Sequence, residues 1–137
     1  MVDRISPARR SANMARIRGK DTGPEMFVRK LVHGLGYRYR LHKSDLPGKP
    51  DLVFMGRRKV IFVHGCFWHR HKGCSLSTMP STRTEFWKTK FRANVERDKR
   101  VVKQLKNEKW DVLIVWECET KSASMLERKI IRFLEDQ

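Results

Sequence analysis

Pro50-Asp51-Leu52-Val53-Phe54, a turn at Met55-Gly56-Arg57-Arg58, and then Lys59-Val60-Ile61-Phe62-Val63-His64 decide the fold of this chain. The second run is continuously apolar, the pattern of a central strand buried on both faces, and the Gly-containing turn before it predicts a hairpin. Upstream, Tyr37-Arg38-Tyr39-Arg40-Leu41 alternates as a half-buried strand does, and Leu46-Pro47-Gly48-Lys49-Pro50 is the turn that feeds it into Asp51. Further out, Lys20-Asp21-Thr22-Gly23-Pro24-Glu25 is a helix start, after which Met26, Phe27, Val28, Leu31, Val32 and Leu35 recur at helical spacing until Gly36 stops them. Downstream, residues 65–80 are irregular. Thr82-Arg83-Thr84-Glu85 reads as a cap for a helix that runs through Asn94 to about Glu108, with Val95, Val101, Val102 and Leu105 inward. Trp110-Asp111-Val112-Leu113-Ile114-Val115-Trp116 reads as a second buried strand, and Ser122 to Leu134 as an amphipathic helix. The order helix, three strands, helix, strand, helix predicts an α/β fold with a mixed central β-sheet flanked by helices, one domain over residues 20–137. Residues 1–19 carry Arg4, Arg9, Arg10, Arg16 and Arg18 but only a thin apolar stripe of Ile5, Ala8, Met14, Ala15 and Ile17. That composition predicts a basic N-terminal helical arm ordered by its ligand.

The 137 residues hold 31 Lys+Arg against 15 Asp+Glu, a formal charge of +16, which calls for a polyanionic partner, nucleic acid by default. Charge alone does not separate a DNA-binding module, an enzyme acting on DNA and a ribosomal RNA clamp. No apolar run approaches the ~20 residues of a membrane span, and Met1-Val2-Asp3-Arg4 lacks a signal-peptide stretch, so a cytoplasmic protein with no membrane partner is expected. Three cysteines are too few, and odd in number, for a disulfide framework, which leaves thiols or metal ligands.

Cys66-x4-His71-x2-Cys74, joined by Cys118, makes a Cys3His set that suits a closed, tetrahedral, structural zinc site. The competing reading is that the three cysteines are small buried hydrophobes. A second constellation sets Pro50-Asp51 across the hairpin from Phe62-Val63-His64. In nucleases of the PD-(D/E)xK superfamily this arrangement places an aspartate beside a second acid and a lysine, so that the acids hold Mg2+ near the scissile phosphate. Here Phe62-x-His64 supplies neither the acid nor the lysine, and Pro-Asp alone also reads as a turn ending in a solvated aspartate. Phe67-Trp68 and Trp87 lie among basic residues, where flat side chains can replace base stacking and open a duplex. The alternative is that aromatics pack around the zinc loop, and this is the preferred reading for Phe86, Trp110 and Trp116.

Several stretches together resemble the very-short-patch-repair (Vsr) DNA mismatch endonuclease family. They are Asn13-Met14, Leu46-Pro47-Gly48-Lys49-Pro50-Asp51, Val60-Ile61-Phe62-Val63-His64-Gly65-Cys66-Phe67-Trp68-His69, Thr82-Arg83-Thr84-Glu85-Phe86-Trp87, Asn94-Val95-Glu96-Arg97-Asp98 and Val112-Leu113-Ile114-Val115-Trp116-Glu117-Cys118. The resemblance implies a restriction-endonuclease-like fold with a zinc-stabilised loop and a Mg2+-dependent hydrolase. Such an enzyme nicks one strand 5′ to the T of a T·G mismatch left by deamination of 5-methylcytosine. It further implies Asp51 as Mg2+ ligand with the main-chain carbonyl of Val63, His64 in place of the usual lysine, and His69 assisting proton transfer or transition-state charge. Glu25 would hold a metal-bound water. Phe67, Trp68 and Trp87 would form a wedge from the major groove, and Met14 and Ile17 would approach from the minor groove. Without the family, His64 reads as a strand-end histidine, His69 as a loop residue and Glu25 as a first-turn carboxylate favoured by the helix dipole. Asp98 is either an acid supporting the site or a helix-surface residue. Basic residues in the arm, in Lys88-Thr89-Lys90-Phe91-Arg92 and in Arg97-Asp98-Lys99-Arg100 would grip phosphates of the mismatched double-stranded DNA. The same analogy implies a monomer associated with the nucleoid when bound, with other repair proteins as further partners. Two other functions fit the residues: a zinc-stabilised DNA-binding module without catalysis, and an endonuclease of the same fold with restriction-type specificity.

Overall fold

The chain's computed structural model describes residues 22–136, so the arm assigned to residues 1–19, with Met14 and Ile17, lies outside the described residues. Helix α1, Gly23–Gly34, starts where the sequence places it: the Thr22 hydroxyl accepts the Glu25 N–H at 3.3 Å and Pro24 occupies the first turn. Past the helix, Gly36 takes a φ of +94°, which a side chain would oppose. Strands β1 (Arg40–Leu41), β2 (Leu52–Phe54) and β3 (Lys59–His64) form an antiparallel meander, and β4 (Asp111–Trp116) joins β3 in parallel, giving the order β1-β2-β3-β4. Helix α2, Thr84–Asn107, makes the crossover between β3 and β4, and α3, Ala123–Glu135, closes the chain.

Alternation along the hairpin sorts the core into two layers. Leu52, Phe54 and Ile61 face Val28 and Val32 of α1 and Leu126, Ile130 and Leu134 of α3. Val53, Val60 and Phe62 face the other way, onto Leu105 of α2 and Trp110. The mixed sheet with helices on both faces is the α/β fold expected.

Four local expectations need correction. The alternating run Tyr37–Leu41 pairs only over Arg40–Leu41. Tyr37 and Tyr39 leave the ladder to pack on the first core layer, where the Tyr39 hydroxyl donates to the Arg29 carbonyl at 3.2 Å. Strand β4 is apolar, but it ends the strand order, so Val115 alone is fully buried there and Val112, Leu113 and Ile114 are half-buried. Helix α2 begins at Thr84 after a left-handed Arg83 that provides no side-chain cap, rather than in a Thr82 capping box. Of the aromatics assigned to the zinc loop only Trp116 is there. Trp110 lies in the second core layer under the Arg58 guanidinium, and Phe86 is 46% exposed.

One turn is held by size. Gly48 has a φ of +73°, and a Cβ there would come within 2.5 Å of Cγ1 of Val101. The Leu46–Lys49 turn is therefore pressed onto α2 as only glycine permits, which fixes the approach of Pro50-Asp51 to the sheet.

Candidate active site and metal centre

Parallel pairing sets up the cysteine cluster. His64 lies opposite Trp116, so Cys66 and Cys118, each two residues further on, leave the same end of the sheet side by side. Cys118 rides on a 3-10 turn, Glu117–Lys121, whose Glu117 carboxylate accepts the Cys66 N–H at 3.3 Å. His71 is brought back by its N–H donating to the Cys66 carbonyl, and its ring stacks on Trp116 at 4.2 Å. His71 Nδ1 then sits 3.6 Å from Cys66 Sγ and 3.4 Å from Cys118 Sγ, with Cys74 completing the cluster. Burial pushes the Cys66 thiol up to about 12 and raises Cys118, whereas the Leu76 N–H donating to Cys74 lowers that thiol. Two of the three sulfurs thus resist ionisation unless a cation joins them, and these four donors can hold a metal ion.

Arg70, between the two histidines of this loop, turns the chain with a left-handed φ of 56°. Its guanidinium donates to the carbonyls of Phe67, Ser77 and Thr78 and lies 4.0 Å from the centroid of Phe91. A loop with little apolar material of its own is tied to α2 in this way.

Two further clusters adjoin the cysteine loop. Asp51 Oδ2 accepts the Val63 N–H at 2.7 Å, just beyond the last β2–β3 pair, so the carboxylate takes the place of a ladder partner. Glu25, 2% exposed at the start of α1, ion-pairs with Arg29 one turn on and lies 2.6 Å from His42 Nε2, which is 3.7 Å from Asp51 Oδ1. Burial, reinforced by the nearby Glu25 carboxylate, lifts Asp51 to about 7 against the pull of the Val63 N–H. On the other side of Val63, the His64 ring stacks on His69 at 3.8 Å, and His69 Nδ1 lies 2.7 Å from Asp98 Oδ2 of α2. Burial first, then the neighbouring His69, drives His64 down to about 3, so this imidazole is neutral at neutral pH, and its buried Nδ1 has no hydrogen-bond partner among the described residues. The described predicted residues Asp51, Val63, His64, His69 and Glu25 are thus gathered at one end of the β2–β3 hairpin.

Phe67, Trp68 and Trp87 form a cluster with Phe91: Phe67 meets Trp68 edge-on at 4.9 Å and Trp87 at 5.8 Å, and Trp87 stacks on Phe91 at 5.5 Å. Phe67, Trp68 and Trp87 are half-buried, and the buried Phe91 ring anchors Phe67 and Trp87. The Asn94 side chain donates to the Trp68 carbonyl at 3.1 Å, tying this cluster to the α2 turn that carries Asp98.

His42 was not singled out from the sequence. It stands after the alternating run, where nothing local marks it, and its place opposite Asp51 emerges only from the β1–β2 pairing. Asp98 resolves in favour of contact with the site, because the α2 crossover turns that residue onto the 64–69 segment.

Comparison with known proteins identifies the family. Residues 2–76 match the family model described as DNA mismatch endonuclease Vsr. The chain is 48% identical over 135 residues to the type II nicking enzyme V.XorIIP of Xanthomonas oryzae pv. oryzae, spanning 98% of each. It is 46% identical over 126 residues to the DNA mismatch endonuclease Vsr of Escherichia coli, covering 92% of this chain and 80% of that protein. It is 36% identical over 136 residues to the type II nicking enzyme V.NmeAIP of Neisseria meningitidis, covering 99% of this chain and 96% of that protein. A match over more than half the chain and relatives aligned almost end to end make this chain a member of the Vsr family of DNA endonucleases.

Proposed function

We propose that this endonuclease nicks the T-containing strand 5′ to the thymine of a T·G mismatch by Mg2+-dependent hydrolysis, initiating very short patch repair. The observation that carries the reading is the Asp51 carboxylate anchored on the Val63 N–H, which sets an acid pair next to the His64–His69–Asp98 chain. Water and a phosphate then meet both a cation-holding group and a proton-exchanging group within one short stretch of sheet end.

The donor set fits Mg2+: a buried and a half-buried carboxylate meet, and the cost of ionising Asp51 there is what a hard cation relieves. Asp51 and the Val63 carbonyl would hold the ion, which supplies Lewis-acid charge at the scissile phosphate and a more acidic water. Glu25 orients water at the same place. Asp98 fixes the His69 ring through Nδ1, leaving Nε2 to carry a proton to or from the reacting oxygens. His64, neutral and stacked on His69, holds that ring from below and offers a polar edge to the phosphate rather than the fixed charge of a lysine.

The cysteine cluster fits zinc. Zn–S bonds of about 2.3 Å and a Zn–N bond of about 2.0 Å make a tetrahedral S···N edge of about 3.6 Å. The two separations to His71 Nδ1, 3.6 and 3.4 Å, sit at that value. With four protein donors the position is closed, which suits a structural ion. The aromatic cluster supplies the wedge: flat, anchored rings inserted beside a mispair replace its weaker stacking, so opening favours mismatched over paired DNA.

The test uses duplexes labelled on one strand and carrying T·G, A·T or G·C at the same position, incubated with the full chain and Mg2+. Nicking of the T strand of the T·G duplex alone is the expected result. Equal cutting of all three would replace repair by restriction-type specificity, and binding without cutting would leave a DNA-binding module. Asp51→Ala is expected to bind the T·G duplex while losing at least about 10³-fold in nicking rate.

A further inference from the structure

His42 has no part in the nuclease motif or in the roles set out above, yet it stands between the two carboxylates of the active site. Its backbone is fixed independently of its ring. Residue 42 follows the Leu41–Leu52 pair, and its N–H donates to the Asp51 carbonyl at 3.3 Å, one more rung that ties residue 42 to residue 51. A left-handed φ of 44° then turns the chain there. The ring ends with Nε2 2.6 Å from Glu25 Oε2 and 3.7 Å from Asp51 Oδ1. One ion with bonds of about 2.1 Å can touch two atoms up to about 4.2 Å apart, which admits the 3.7 Å pair of Nε2 and Asp51 Oδ1, whereas the 2.6 Å to Glu25 is a hydrogen-bond length and Arg29 Nη2 lies 3.5 Å from the same nitrogen. The ring is 20% exposed and the Asp51 carboxylate 19%, so the group opens to solvent on one side.

Counter-charge for Glu25 is already supplied by Arg29, whose guanidinium pairs with it along the helix. What the imidazole adds at this place is a ring nitrogen that hydrogen-bonds Glu25 and can ligate an ion in place of that bond.

We propose that His42 is a third protein donor to the catalytic cation, its Nε2 joining the Asp51 carboxylate and the Val63 carbonyl in a mixed nitrogen and oxygen site beside Glu25. The inference rests on the metal-dependent reading above. Its chemical consequence is preference: an imidazole ligand raises affinity for Mn2+ and Co2+ more than for Mg2+, which favours oxygen donors.

The test uses the full, zinc-loaded chain and Mn2+ as the probe, with binding followed by the spin-resonance signal of the free ion and ligation by nitrogen hyperfine coupling to the bound ion. The unmutated chain is expected to show imidazole coupling that changes when its histidines carry a different nitrogen isotope, a readout that needs no substitution. In His42→Gln that coupling is lost and Mn2+ affinity falls about tenfold or more, while Mg2+ affinity, read by competition, falls less. Zinc content and the melting curve report whether the variant folds. Absence of nitrogen coupling in the unmutated chain, or its persistence in His42→Gln, overturns the proposal. If Asp51→Asn abolishes Mn2+ binding while His42→Gln leaves it unchanged, the cation site stands and His42 is not its ligand. If neither variant changes Mn2+ binding, both readings fall.

Discussion

The cysteine cluster and the acid cluster lie close along the chain, at Cys66 and at Asp51 with Val63, and are built on opposite principles. The first gathers three sulfurs and an imidazole with all four donors turned inward. The second gathers two carboxylates and an imidazole, with the Asp51 and His42 side chains each about one-fifth exposed. A closed set of soft donors binds its ion as part of the fold, whereas an open set of hard donors keeps room for substrate and water. The difference predicts opposite signs when each site is damaged: losing a cysteine should weaken the protein, and losing the Asp51 charge should strengthen it.

The largest effect is expected at the closed site. Cys118→Ser, or removal of zinc by a strong chelator, unties residues 65–80 from β4, since Cys118 is the ligand that comes from outside that loop. Stability should fall by about 3 kcal/mol or more, a drop of about 10 °C in Tm, measured by calorimetry with zinc content assayed alongside. Nicking should fall as well, because His69 and the Phe67-Trp68 pair sit on the same loop. A Cys118→Ser protein that melts with the parent would make the cysteines ordinary small core residues and dissolve the contrast.

The histidine chain sharpens the comparison from the side of catalysis. Asp98, in a third metal-competent group with His64 and His69, bonds His69 Nδ1 from α2 and so orients that ring. Asp98→Asn should lower kcat about 10²-fold with KM for the mismatched duplex little changed, and Asp98→Glu should recover part of the loss. A merely structural Asp98 would instead lower the melting temperature and leave the kcat of the folded enzyme intact. Single-turnover nicking with enzyme in excess separates these outcomes.

The two clusters also differed in how far the sequence disclosed them. The cysteine and histidine set was legible because its residue types are rare and three of its four members lie within nine positions, Cys66 to Cys74. Even Cys118 was placed by pattern, standing two residues past an apolar strand. Asp51 was visible as the end of a Pro-containing turn, and the hairpin that follows it was plain from its apolar runs. The acid cluster as a whole was not, because Glu25, His42 and Asp51 come from three elements and only the β1–β2 register and the start of α1 bring them together. Tyr37 to Leu41 shows the same limit from the fold side. An alternating pattern specifies a face to be buried, and here helix α1 and Phe54 half-bury Tyr39 without a ladder, while the Tyr37 hydroxyl reaches Glu135 of α3. The half-exposed state of β4 was hidden for a related reason, since an apolar run states what a strand can bury and not whether it ends the sheet.

The opposite sign expected at Asp51 is the smallest effect and the most diagnostic. Its folded-state value of about 7 lies above the ordinary 3.8, chiefly because burial penalises the charged carboxylate. Between those two values the folded chain holds a proton that the unfolded chain has released. In the absence of divalent cations, the Asp51 contribution to stability should therefore be greatest below about pH 4, fall as pH rises through 7, and stay at its reduced level above. A shift of this size corresponds to at most about 4 kcal/mol, and partial exposure of the side chain reduces it to about 1–2 kcal/mol. Asp51→Asn keeps an oxygen for the Val63 N–H and removes the charge, so it should flatten this pH dependence and exceed the parent in stability at pH 8. Excess Mg2+ should then stabilise the parent by mass action and leave the variant unmoved, narrowing or inverting the order. An Asp51→Asn protein that melts below the parent at pH 8 without divalent ions would mean that the carboxylate is held there for the fold, by Arg29 and the Val63 N–H, and that the two clusters are alike in kind.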